Sequence, residues 1–197
     1  YKRQEEGSVF SAKLNKTFAS EKEAKAFLEK NISADFSVSK LDKKPAKKSP
    51  SAPFTTSTLQ QEASRKLYFS VGRTMQVAQR LYEAGLITYM RTDSVNLSNE
   101  ALASAKEAII KNYGESYSET RNFTGKSKGA QEAHEAIRPT DMGNQSPSLE
   151  RDQSKLYDLI WKRTVASQMS DAQLERTNVK IKTNKHSEEF TANGEVI

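Results

Sequence analysis

The sequence predicts an α+β protein in which a β-rich domain is interrupted by an inserted, mainly helical domain. Both ends alternate apolar and polar residues, the middle repeats its apolar residues at helical spacing, and a proline- and lysine-rich stretch separates the first end from the middle. On this reading residues 1–53 form the first part of the β domain, 54–170 the helical insert, and 171–197 the return part.

Residues 8–16 alternate and read as one half-buried strand. Ser20 with Glu23 makes a capping box, and Ala24, Phe27 and Leu28 give a helical stripe to about Asn31. Phe36, Val38 and Leu41 alternate as a second strand, which runs into a solvated connector from Lys43 to Pro53. Thr58 with Gln61 suggests the next cap, before Leu59, Ala63 and Leu67. A helix through Met75, Ala78, Leu81 and Tyr82 ends at Gly85, followed by a short β-prone run, Leu86 to Tyr89. Ser98 caps a helix carrying Leu102, Ala105, Ile109 and Ile110 that stops at Gly114, and residues 115–130 read as a loop. The last helix runs from about Glu150 to Met169, with Leu156, Leu159, Ile160 and Val165 inward. Asn178 to Lys182 returns to strand, and Asn193-Gly194 marks a turn in the final strand material.

Composition narrows the chemistry. The 197 residues hold no cysteine, which excludes a disulfide framework and a cysteine nucleophile. Apolar runs are only a few residues long and mean hydropathy is −0.79, so neither a membrane span nor a signal sequence is expected, and the default location is cytoplasmic. The net charge of +6 favours a polyanionic partner. A start at Tyr1 and a strand-like end at Ile197 suggest a piece of a longer protein.

Two clusters could carry chemistry. If Tyr89 to Arg91 is extended, the phenol and the guanidinium share a face. A phenol with a pKa of about 10 needs a nearby cation or base to act as a nucleophile, and an arginine fork can also hold a phosphate. The bland alternative is packing or a cation–π contact. The second cluster is Gln131 to Thr140, in which His134 and Arg138 would share one helical face, with Pro139 ending the helix. A zinc-protease motif is excluded because Arg138 stands where the second histidine is required. Thr124 to Ser127 imitates a phosphate-binding loop, but Thr120 replaces its first glycine, so ATP binding is not expected. No Asp-x-Asp pair offers a metal site.

Three segments together resemble the type IA family of bacterial DNA topoisomerases: Pro53 to Gln60, Ala78 to Ser94, and Glu132 to Thr140. The resemblance spans nearly the whole chain and matches the family's gate hinge and its tyrosine-bearing domain. It implies an enzyme that relaxes negatively supercoiled DNA by cutting one strand through a 5′-phosphotyrosine link, passing a strand and resealing, without ATP. Tyr89 matches the nucleophile, Arg91 the arginine that positions the phosphate, and His134 a backbone-contacting histidine. Arg138 is carried over as a DNA contact, and Asp93 and Glu135 match motif positions without an assigned role. The family's Mg²⁺ is held by carboxylates of a Toprim domain that matches nothing here, so the isolated chain is expected to bind DNA and not to cleave it. A monomer acting on single-stranded DNA, located in the bacterial nucleoid, completes the implied picture. The competing reading is a noncatalytic single-stranded DNA-binding module in which Tyr89 stacks on a base.

Overall fold

A computed structural model describes residues 2–5, 8–123 and 134–197. The chain mixes helix and sheet and divides into two compact units, one made of Tyr1–Lys48 and Ala172–Ile197, the other of Ser49–Asp171.

In the first unit, β1 (Lys2–Glu5) pairs antiparallel with β2 (Ser8–Ser11). A separate antiparallel sheet contains β3 (Lys13–Leu14), β4 (Phe36–Lys48), β5 (Ala172–Thr183) and β6 (Glu189–Val196), in the order β3-β6-β5-β4. The single strand expected over 8–16 is thus two short strands in different sheets. α1 (Glu21–Asn31) starts as the sequence suggests, with the Ser20 hydroxyl accepting the Glu23 amide at 3.3 Å. The Glu23 carboxylate takes the amide of Ala19 rather than that of Ser20, so the capping box is only half made. Phe27, the buried residue of α1, packs its ring against Phe18 and His186.

The expected connector is the largest correction. Lys43 to Lys48 continues β4 and pairs with β5 as far as Lys48 opposite Ala172. Because β4 is an edge strand, the missing amide of Pro45 and the like-charged lysines cost little, and Glu175 accepts from Lys43 at 2.9 Å. Lysine and proline on an edge also discourage pairing with another chain. Asn193-Gly194 is likewise no turn: both lie within β6, opposite Asn178 and Thr177. The reversal falls between Thr183 and Glu189, where the Thr183 hydroxyl accepts the amides of Lys185 and His186.

The second unit contains α2 (Thr56–Leu67), α3 (Val71–Glu83), α4 (Asn99–Tyr113), a 3-10 turn (Glu115–Tyr117) and α5 (Arg151–Ser167). Thr55, not Thr58, caps α2; Thr58 is the third helical residue and its hydroxyl accepts the Thr55 amide in return. Leu59, Ala63, Ala78, Leu81, Leu156, Ile160 and Val165 form the core on the expected helical faces. Ile110, expected inward, is exposed. Trp161 is buried with its indole N–H donating to the Met142 carbonyl at 3.0 Å. Burial and the charge of Asp141 push the neighbouring Tyr157 phenol up to about 12. Glu62 is also buried, paired with Arg65, Lys66 and Arg163, and the hydrogen bond from Lys66 holds its carboxyl below the usual range. Among the described residues, no helix is long and apolar enough to cross a membrane.

Candidate active site

Three segments distant in sequence meet in the second unit, and each is fixed before any functional side chain is placed. α3 ends in a Schellman turn: Gly85, at φ 70°, donates to the Tyr82 carbonyl, and Leu86 donates to the Leu81 carbonyl. That turn launches residues 86–94. Ile87 and Met90 are buried in the core and hold the segment on both sides of Tyr89, whose ring is half exposed. The β-prone run makes only a bridge, Ile87 opposite Pro139, closed by Thr88 N–H to Arg138 O at 2.9 Å and Thr140 N–H to Leu86 O at 3.0 Å. The Thr88 hydroxyl adds a bond to the Ala136 carbonyl at 2.7 Å and accepts the Arg138 amide at 3.0 Å. A second bridge joins Ile137 to Phe54, just ahead of α2.

Residues 134–138 are therefore extended rather than helical, which corrects the expected shared face of His134 and Arg138. Pro139 and the two bridges impose this geometry. His134 is exposed, whereas the Arg138 guanidinium turns to the protein, donating to Glu135 at 2.7 and 3.2 Å and to the Pro139 carbonyl at 2.9 Å. Glu135 in turn accepts the amide of Ser98, the cap of α4, at 2.7 Å. Burial pushes the Glu135 carboxyl up, but the bonds from Ser98 and Arg138 outweigh it and leave the group below its ordinary value. Gln131 to Ala133 and the loop imitation at Thr124 to Ser127 lie outside the described residues.

Because that pKa is depressed on folding, the stability Glu135 confers is complete above the ordinary carboxylate range. It is lost as pH falls through the lower folded value. Glu135→Gln is expected to lower stability by about 1–2 kcal/mol at pH 7, as a charge-assisted hydrogen bond becomes a neutral one. The gap from wild type should close as pH falls below the ordinary carboxylate range; thermal melting across pH checks this, and an equal gap at all pH would contradict it.

Arg91, Thr92, Asp93 and His134 line one open cleft of about 350 Å³, together with Thr55, Thr56 and Ser57 at the start of α2. Of the four expected site residues, the structure thus gathers Arg91 and His134 in the cleft. Tyr89 stands two residues away from Arg91, its ring edge-on to Tyr82 at 5.2 Å between centroids. Arg138 faces the Pro139 carbonyl and Glu135. Sequence reasoning missed Thr55, Thr56 and Ser57 as cleft residues, although they lie in a segment it quoted. A larger groove, of about 750 Å³, lies on the sheet of the first unit beside Lys44 and Arg176. Its lining holds no histidine, and Arg176 there is paired with Glu195 at 3.0 Å. Among the described residues, no group of three or more His, Asp or Glu side chains could hold a metal ion.

A sequence model of the family described as DNA topoisomerase matches residues 2–197. DNA topoisomerase 1 of Rickettsia felis is 47% identical over 96% of this chain, which spans 26% of that protein. DNA topoisomerase 1 of Streptomyces coelicolor is 48% identical over 82% of the chain and 18% of its own length. The full-length topoisomerase I structure from Thermotoga maritima superposes with a TM-score of 0.76 at 36% identity, covering 94% of this chain and 32% of that one. The chain therefore spans between about a fifth and a third of the length of these relatives.

Proposed function

The chain belongs to the DNA topoisomerase family, and from this premise we propose that it is the part of a type IA enzyme that cuts and rejoins a single DNA strand through Tyr89. The observation that carries the reading is the placement of a half-exposed tyrosine two residues from an arginine that shares a cleft with a histidine. In the forward step the Tyr89 phenolic oxygen forms a bond to phosphorus and the bond to the 3′ oxygen breaks. The 5′ phosphate is then joined to the tyrosine. The phenolic proton departs to a base and the 3′ oxygen leaves as a hydroxyl; both proton transfers fall to groups of the complete enzyme other than Tyr89, Arg91 and His134. Resealing reverses the exchange, and because one phosphodiester replaces another no ATP is consumed.

Arg91 balances the charge that builds on the phosphate. His134 contacts the DNA backbone, and Arg138 serves it indirectly by bracing residues 135–139. The unit made of the chain's two ends acts as the hinge of the gate, and the enzyme relaxes negatively supercoiled DNA as a monomer. Mg²⁺ is held by a Toprim domain beyond these residues; no described cluster here suits it, so no step is assigned to it. The exposed Tyr82–Tyr89 pair favours a second reading, in which the two rings only stack on bases.

The isolated 197-residue chain separates binding from chemistry. It is expected to bind single-stranded DNA through phosphates; with Arg91 and one further cation each neutralising a phosphate, at about −0.7 each in the salt slope, affinity should fall about sevenfold between roughly 50 and 200 mM salt. His134→Ala should weaken binding more than Lys47→Ala. With Mg²⁺ the chain should form no covalent adduct, while the complete enzyme does. Salt-insensitive binding, or adduct formation by the isolated chain, would contradict the division of roles.

A further inference from the structure

Outside the residues assigned above, the densest set of hydrogen bonds onto the tyrosine loop comes from Thr56. Its hydroxyl lies 2.8 Å from the Met90 carbonyl and 3.1 Å from the Thr92 carbonyl, and it accepts the Thr92 amide at 2.9 Å. The Thr56 amide donates to the Thr92 carbonyl at 2.9 Å. One residue therefore grips the backbone on both sides of Arg91, and it does so from the first position of α2, a helix of 12 residues.

The grip is rigid at both ends. Thr55 fixes the start of α2 by a reciprocal cap with Thr58, and the helix is sunk into the core through Leu59 and Ala63. On the loop side, Met90 is buried and the Thr92 hydroxyl accepts the Ser94 amide at 3.0 Å. Arg91, the residue between Met90 and Thr92, lines the cleft beside Thr56 itself, followed there by Thr92 and Asp93. A hydroxyl is required: a valine of the same shape would leave the Thr92 amide and the Met90 carbonyl short of a partner, while the Thr92 carbonyl would keep the Thr56 amide.

We propose that Thr56 is a positioning residue for strand cleavage, setting where the Arg91 guanidinium stands relative to the Tyr89 phenol. The inference rests on the proposed function of this cleft and names a residue that reading does not use. Displacing a reacting group by about 1 Å can cost on the order of a hundredfold in rate, so the effect belongs in the chemical step rather than in binding.

The test uses the complete enzyme and a single-stranded oligonucleotide, with Tyr89→Phe run in parallel. Thr56→Val is expected to slow adduct formation about ten- to a hundredfold with DNA affinity within about twofold of wild type. Thr56→Ser, which keeps the hydroxyl, should restore the rate to within about threefold. In an Arg91→Ala background Thr56→Val should cost little further, because the two act as one unit. A folded Thr56→Val enzyme that cleaves at the wild-type rate, or losses that simply multiply with Arg91→Ala, would overturn the inference. If Thr56→Val does not fold, amide exchange on the wild type decides: a protected Thr92 N–H supports the grip and a freely exchanging one overturns it. Failure of the underlying reading is distinguishable, since wild type would then form no adduct that Tyr89→Phe removes.

Discussion

Replacing Tyr89 by Phe in the complete enzyme is expected to abolish the covalent DNA adduct while leaving DNA binding nearly intact. The substitution removes one hydroxyl from a half-exposed ring and keeps the edge contact with Tyr82. Folding stability should move by no more than about 0.5 kcal/mol, as for other exposed sites. Adduct formation on denaturing gels and affinity for single-stranded DNA give the two readouts. Loss of both together would point to a folding defect or to a ring that only binds, and persistence of the adduct would identify another nucleophile.

Arg91→Ala should have the second largest effect. Arginine beside the attacked phosphate neutralises charge that grows in the transition state, and removing one such donor elsewhere costs about 10²–10³ in rate, or ~2.7–4 kcal/mol. The same loss of one phosphate contact should lower the salt slope of binding by only about 0.7. Arg91→Lys should recover part of the rate, since it restores charge without the planar fork. A fall in affinity as large as the fall in rate would make Arg91 an ordinary binding residue.

How far the sequence announced this site depends on the range of the forces involved. Caps and apolar stripes are local, so α5 and the glycine ends of α3 and α4 were legible from neighbouring residues alone. The family motifs likewise pointed to Tyr89, Arg91 and His134 without any knowledge of their geometry. Cross-chain pairing was not legible. The lysines of β4 look like a solvated connector until Glu175 and the rest of β5 are placed beside them. His134 to Arg138 has helical residues, but its conformation is dictated by Phe54 and Ile87 from distant segments. Thr56 has no local signal at all, because its partners lie 34 and 36 residues away.

The most direct measurement is the chemical identity of the residue that holds the DNA. The complete enzyme is trapped on an oligonucleotide whose cleaved end cannot be rejoined, digested, and its nucleotide-bearing peptide sequenced by mass spectrometry. The account predicts a nucleotide joined through its 5′ phosphate to the phenolic oxygen of Tyr89. Attachment to Tyr82, whose ring lies 5.2 Å away, or the absence of any linked peptide, would contradict it.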